Sequence, residues 1–166
     1  MTNSAKYALR ALQKMGEEYP RVFGVDPGLA TGYCFFNQGA LSYSKTVSGL
    51  DEQYDYLSGL NIENSLVVME EFAIYPWAAK DLSFDKVPSA RIIGAVELSA
   101  RVWGETTVVY QNPQQAKESV PNKLIHELFP DHKAGSPHEM DAIRHVVLRA
   151  TLNLSTIDKG DRGRVY

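Results

Sequence analysis

The chain has one cysteine, Cys34, among its 166 residues. An internal disulfide is therefore excluded, and a zinc centre built from cysteine thiolates is excluded with it. Long apolar runs are missing too: no stretch approaches the roughly 18 residues that a bilayer-spanning helix needs. The opening segment MTNSAKYALRALQKMGEEYP has no continuous apolar centre of the signal-peptide kind. The expectation is a soluble protein of a reducing, cytoplasmic compartment with no membrane partner. An excess of positive charge is also lacking, since 17 Lys and Arg face 20 Asp and Glu for a net charge of -3. A polyanion would have to be held by a local patch or by metal ions, not by the field of the whole molecule.

What remains is the composition of an ordinary globular protein, 44% hydrophobic and 22% charged. The length suits one domain, with no repeat, low-complexity run or Gly/Ser linker to divide it. Ala5, Ala8, Leu9, Leu12 and Met15 recur at helical intervals, which predicts an amphipathic helix over the first 18 residues. Three strand patterns follow, RVFGVD, GYCFFN and ALSYSKTV, punctuated by Gly28, Gly32 and an Asn37-Gln38-Gly39 corner. DEQYDYLSGL predicts a short helix with an acidic first turn, and NSLVVMEEF a strand covered on both faces. A helix over 89–104, a strand TTVVYQ, and helices around 113–129 and 138–153 complete the order. The pattern is α/β: a three-strand antiparallel meander extended by parallel strands, flanked by helices and preceded by an extra helix. The boundaries expected are 1–20 for the N-terminal helical extension, 21–154 for the main domain and 155–166 for a flexible tail.

Three carboxylate positions stand out in that frame. Asp26 ends the first strand, Glu70 and Glu71 end the fourth, and Asp141 follows His138 by three residues at the start of the last helix. Each has an ordinary structural explanation. Asp before Pro-Gly forms turns, a strand-end Glu is commonly solvated, and Ser136, Pro137 and Glu139 suit a helix start. Together they suggest more. Converging carboxylates repel unless cations lie between them, and oxygen donors with one imidazole suit Mg²⁺ or Mn²⁺. Two such ions about 4 Å apart support phosphodiester cleavage, which an acidic protein can carry out on a polyanion.

The segments GVDPGLATGY, VVMEEF and HEMDAIRH resemble, in order and spacing, the three acidic motifs of the RuvC Holliday-junction resolvases, members of the ribonuclease-H-like nuclease superfamily. The likeness covers residues 21 to about 152. It implies a ribonuclease-H-like mixed five-stranded sheet and a metal-dependent endonuclease that resolves four-way DNA by symmetric nicks, as a homodimer. Position by position, it implies that Asp26, Glu70, Asp141 and His138 hold two Mg²⁺ ions, with Mn²⁺ able to substitute, and form the catalytic set. His138 stands where some members have Asp, and Glu71 is expected to face away.

DNA contacts follow from the same likeness. Lys117 and Lys123 flank the Pro121 corner, where they would either meet phosphates or stand as solvated helix residues. FAIYPWAAKDLSFDKVP carries Tyr75, Trp77 and Phe84 among Lys80 and Lys86, a composition suited to stacking on unpaired bases. Phe72 is expected to pack over the core instead. The extra first helix and short loops suit a phage or other viral member, acting in a bacterial or phage-infected cell. Alternatives are a related nuclease of flaps or RNA-DNA hybrids, and a branched-DNA binder without activity. An actin-like ATPase needs a second phosphate loop and a much longer chain.

Overall fold

The computed structural model describes residues 1–72 and 87–158, and the side chains of those up to 155. Its elements run α1 (Asn3–Glu18), β1 (Arg21–Asp26), β2 (Ala30–Asn37), β3 (Ala40–Ser48), α2 (Leu50–Gly59), β4 (Leu66–Glu70), α3 (Pro88–Trp103), β5 (Thr107–Gln111), α4 (Pro113–Ser119), α5 (Asn122–Leu128) and α6 (Pro137–Asp158). The sheet order is β3-β2-β1-β4-β5, with β1, β2 and β3 antiparallel and β4 and β5 added in parallel. The mixed sheet with flanking helices is the architecture expected from the sequence.

Two differences have simple causes. The single helix expected around 113–129 is two, because Pro121 follows Val120 and cannot donate the backbone hydrogen bond that would continue α4. The final helix continues through Asp158, past the expected end at 153, carried by the buried Ala150 and Leu154.

Strand alternation divides the core into two layers. Val22, Cys34, Phe36, Leu66 and Val68 point to one face and pack with α1, α4, α5 and α6. Phe23, Val25, Tyr33, Val67 and Met69 point to the other, under Ile92, Val96 and Ala100 of α3 and Leu57 of α2. Even positions of β1 and β4 thus face α6, which places Asp26 and Glu70 at the end of that layer.

The first helix is a structural layer in its own right. Ala5, Ala8, Ala11, Leu12 and Met15 are buried in the same cluster as α6. Small side chains let the helix lie close: a Cβ on Gly16 would collide with the Gln38 backbone. Thr2 caps α1 by accepting from the Ala5 N–H at 3.2 Å, and its hydroxyl donates to Glu127 of α5 at 2.9 Å. Leu12→Ala should therefore cost about 2–5 kcal/mol, measured by urea unfolding. A removable appendage would show no such loss. No described helix is long and apolar enough to cross a membrane.

Candidate active site

Parallel pairing sets Val25 opposite Met69, so Asp26 and Glu70 are the next residues along at the C-terminal ends of β1 and β4. In a parallel pair, residues in register point to the same face. The pleat decides between the two glutamates: Glu70 faces α6, while Glu71 is exposed and uses its backbone N–H to reach the Gln111 carbonyl at 2.8 Å. Glu71 faces away, as expected.

The other half of the site comes from the first turns of α6. Ser136 caps this helix, its hydroxyl accepting from the Glu139 N–H at 3.3 Å. Glu139 is buried and braces the helix start against β3: it accepts from Thr46 Oγ1 at 3.0 Å, from the Gly135 N–H at 3.0 Å and from the Ser44 hydroxyl. Burial is the largest single effect and raises its carboxyl, but the donors from Ser44, Gly135 and Thr46 together outweigh it and hold the carboxyl below the usual value.

So anchored, α6 gives each strand-end acid a histidine. His138 Nδ1 lies 2.8 Å from Asp26 Oδ2, and His145 Nε2 lies 3.1 Å from Glu70 Oε2. Asp26 is only 7% exposed. Burial raises its carboxyl above the ordinary value, the hydrogen bond to His138 opposes this, and the charge of Glu70 adds to it. The two acids are therefore electrostatic neighbours.

Asp141 is arranged differently. Arg144 pairs with its Oδ1, and Lys117 Nζ lies 3.4 Å from its Oδ2. Arg144 is itself buried, donating from Nε to the Val120 carbonyl at 2.9 Å and from its fork to Asn122. Burial lowers the pKa of this guanidinium, while the charges of Asp26 and Glu70 push it back up.

The closed cage of three carboxylates expected from the sequence is thus not what the side chains form. Among the described residues, no three His, Cys, Asp or Glu groups gather closely enough to hold an ion. Like charges separate and take the nearest cation or N–H: Asp26 and Glu70 take histidines, and Asp141 takes Arg144 and Lys117.

Of the expected DNA contacts, Lys117 stands at the acidic site and Lys123 is exposed on α5. Tyr75, Trp77, Lys80, Phe84 and Lys86 lie outside the described residues. Phe72, just before them, is half-buried. Arg144 and His145 are additions that the sequence reading missed. Their spacing held the signal: Arg144 is three residues after Asp141, and His145 is seven after His138, two turns along one helix face.

No protein-family model and no curated protein sequence matches the chain. Solved structures do. The RuvC of T. thermophilus in complex with a Holliday junction substrate superposes with a TM-score of 0.65 at 18% identity, over 81% of this chain and 95% of that one. The chain has the RuvC-like, ribonuclease-H-like fold. The yeast mitochondrial Holliday junction resolvase Ydc2 agrees, with a TM-score of 0.54 at 12% identity over 91% of this chain and 90% of that one. The shared fold extends over 95% and 90% of the two neighbours' own lengths.

Proposed function

We propose that the chain is a divalent-metal-dependent endonuclease of branched DNA that resolves four-way junctions by paired symmetric nicks. One observation carries this reading. Asp26 and Glu70 stand side by side at the ends of two parallel strands, each met by a histidine of one helix, His138 and His145, with Asp141 on the same helix. The fold shared with two junction resolvases supports the substrate class.

The donor chemistry fits hard cations: three carboxylates and one imidazole, with the Cys34 thiol buried in the core. Asp26, Glu70, Asp141 and His138 would hold two Mg²⁺ or Mn²⁺ ions by exchanging the partners they have in the metal-free arrangement, in which no three of the described groups gather around one point. When bound, such ions supply an activated water and neutralise charge on the leaving oxygen. The chain's own groups divide the remaining work. Glu139 fixes the start of α6, so His138 reaches the end of β1 and Asp141 is held one turn further along the same helix. His145 holds the Glu70 carboxylate from one side. Lys117 is exposed beside Asp141 and contacts a phosphate of the bound strand. His138 Nδ1 is held on Asp26 Oδ2, which fixes its ring, and that ring is 44% exposed.

A two-fold substrate calls for a two-fold enzyme. An apolar surface suited to a second copy lies on α3, where Leu98 and Val102 are 63% and 74% exposed and share a helix face, with Trp103 beside them. The double change Leu98→Glu, Val102→Glu should convert a dimer to monomers in sedimentation and turn paired cuts into single nicks.

The deciding assay is cleavage of a synthetic four-way junction with Mg²⁺ or Mn²⁺. Cutting at symmetric positions is expected. An intact junction under every metal condition, or a clear preference for flaps or RNA-DNA hybrids at equal concentration, overturns the assignment.

A further inference from the structure

A groove of about 660 Å³ opens beside Asp141, between α5 and the segment 130–137 that leads into α6. That volume is in the range of pockets that take small ligands. Its ionisable lining, among the described residues, is Asp141 on one side and Arg144, Lys133, His126 and His132 on the others. In a chain of net charge -3 this is a local reversal of sign. Asp141 lines it and neither Asp26 nor Glu70 does, so the groove adjoins the acidic site without including the strand ends.

The walls are preformed. Arg144 is 5% exposed and fastened to Val120 and Asn122. His132 Nε2 lies 3.0 Å from the Ser44 hydroxyl, and the Gly135 N–H is fixed by Glu139. Lys133 and His126, in contrast, are exposed. A fixed wall with exposed side chains such as Lys133 beside it suits a chain of phosphates, because phosphate contacts position a strand without reading its bases. With Asp141 in its lining, the groove adjoins the acidic site and is placed to receive the strand that passes through it.

We infer that this groove seats the sugar-phosphate backbone of the DNA strand adjoining the cleaved bond, with Lys133 and His126 contacting its phosphates. The inference rests on the nuclease reading and adds to it the path of the strand. Arg144 forms the wall and keeps its place; the two exposed groups make the contacts.

The test measures binding, without metal, of fluorescein-labelled four-way junctions of two unrelated sequences and of a labelled single strand. His126→Ala with Lys133→Ala should weaken binding roughly tenfold at moderate salt, equally for both sequences, and lower the slope of log K against log salt by about 1 to 2. Lys133→Glu should weaken it further, and Lys14→Ala on α1 should leave it unchanged. In cleavage, the double variant should raise KM and keep kcat. Unchanged affinity and salt slope in the groove variants, with the wild-type chain binding, overturn the groove while sparing the nuclease reading. A wild-type chain that binds junctions but cuts nothing overturns the nuclease reading and still leaves the groove measurable. A chain that binds no DNA overturns both.

Discussion

Asp26→Asn is expected to abolish junction cleavage while leaving a folded protein that still binds the junction. Asparagine keeps the size of the side chain and one oxygen acceptor for His138, so the hydrogen bond now 2.8 Å long has a partner on either side of the change. What disappears is a negative charge at the end of β1. A divalent ion contributes several kcal/mol of transition-state stabilisation, and each 1.4 kcal/mol is tenfold in rate, so the loss should reach about a thousandfold or more. Stability should move the other way. Burial raises the Asp26 carboxyl above its ordinary value of 3.8, so the native state holds that proton to higher pH than the unfolded chain does. Metal-free stability is then lost as pH rises from the unfolded value through the raised folded one, and the deficit persists at neutral pH. A neutral amide at this position has no such loss. Metal-free melting near pH 7 should give the variant a Tm equal to or above that of the wild type. A marked fall in Tm would mean that Asp26 is a structural turn residue. Retained cleavage would remove it from the site.

Much of this arrangement is legible in the residues, because the strongest signals are local. Asp26 sits between a strand pattern and Pro27-Gly28, and its position at a strand end follows from that alone. The choice of Glu70 over Glu71 needs only the two-residue repeat of a strand and the knowledge of which face is covered. Other features depend on distant packing. The alanines of α1 announce a buried face, but no spacing within the helix says that its partner is α6, so a core layer reads as an extension. The pairing of Asp141 with Arg144 and Lys117 is of the same kind. Arg144 is three residues away, yet it becomes a buried wall only because Val120 and Asn122, from the α4–α5 corner, accept its remaining donors. His145 reads as one more polar position on a long helix until β4 places Glu70 against it.

The motif that opens the site also explains how a helix far along the chain reaches it. In the β1–β2 ladder Asp26 is paired with Gly32, and Gly24 with Cys34. A Cβ on Gly32 would collide with the His138 carbonyl oxygen, and one on Gly24 would lie 2.5 Å from that of Ala142. The two glycines form a seat in the sheet, and the first turns of α6 rest on backbone there. Because Gly32 is beside Asp26, the seat is also what brings His138 within hydrogen-bonding distance of that carboxylate.

Gly32→Ala should therefore be far more damaging than its single methyl suggests. The new methyl would meet main chain of α6, so no rotamer change relieves the contact, and either β2 or α6 must shift. Overpacking of this sort costs about 1–3 kcal/mol or more, which for a chain of this size lowers Tm by about 2–4 °C per kcal/mol. The functional loss should exceed the loss of fold. A displacement near 1 Å at a reacting centre is enough for about a hundredfold in rate, and the whole α6 start, with His138 and Asp141, moves as one body because Glu139 ties it to β3. At a temperature where the variant is fully folded by circular dichroism, junction cleavage should fall about a hundredfold while junction binding changes little. Wild-type cleavage by a folded Gly32→Ala chain would mean that the His138 end of α6 need not sit against Asp26 for catalysis.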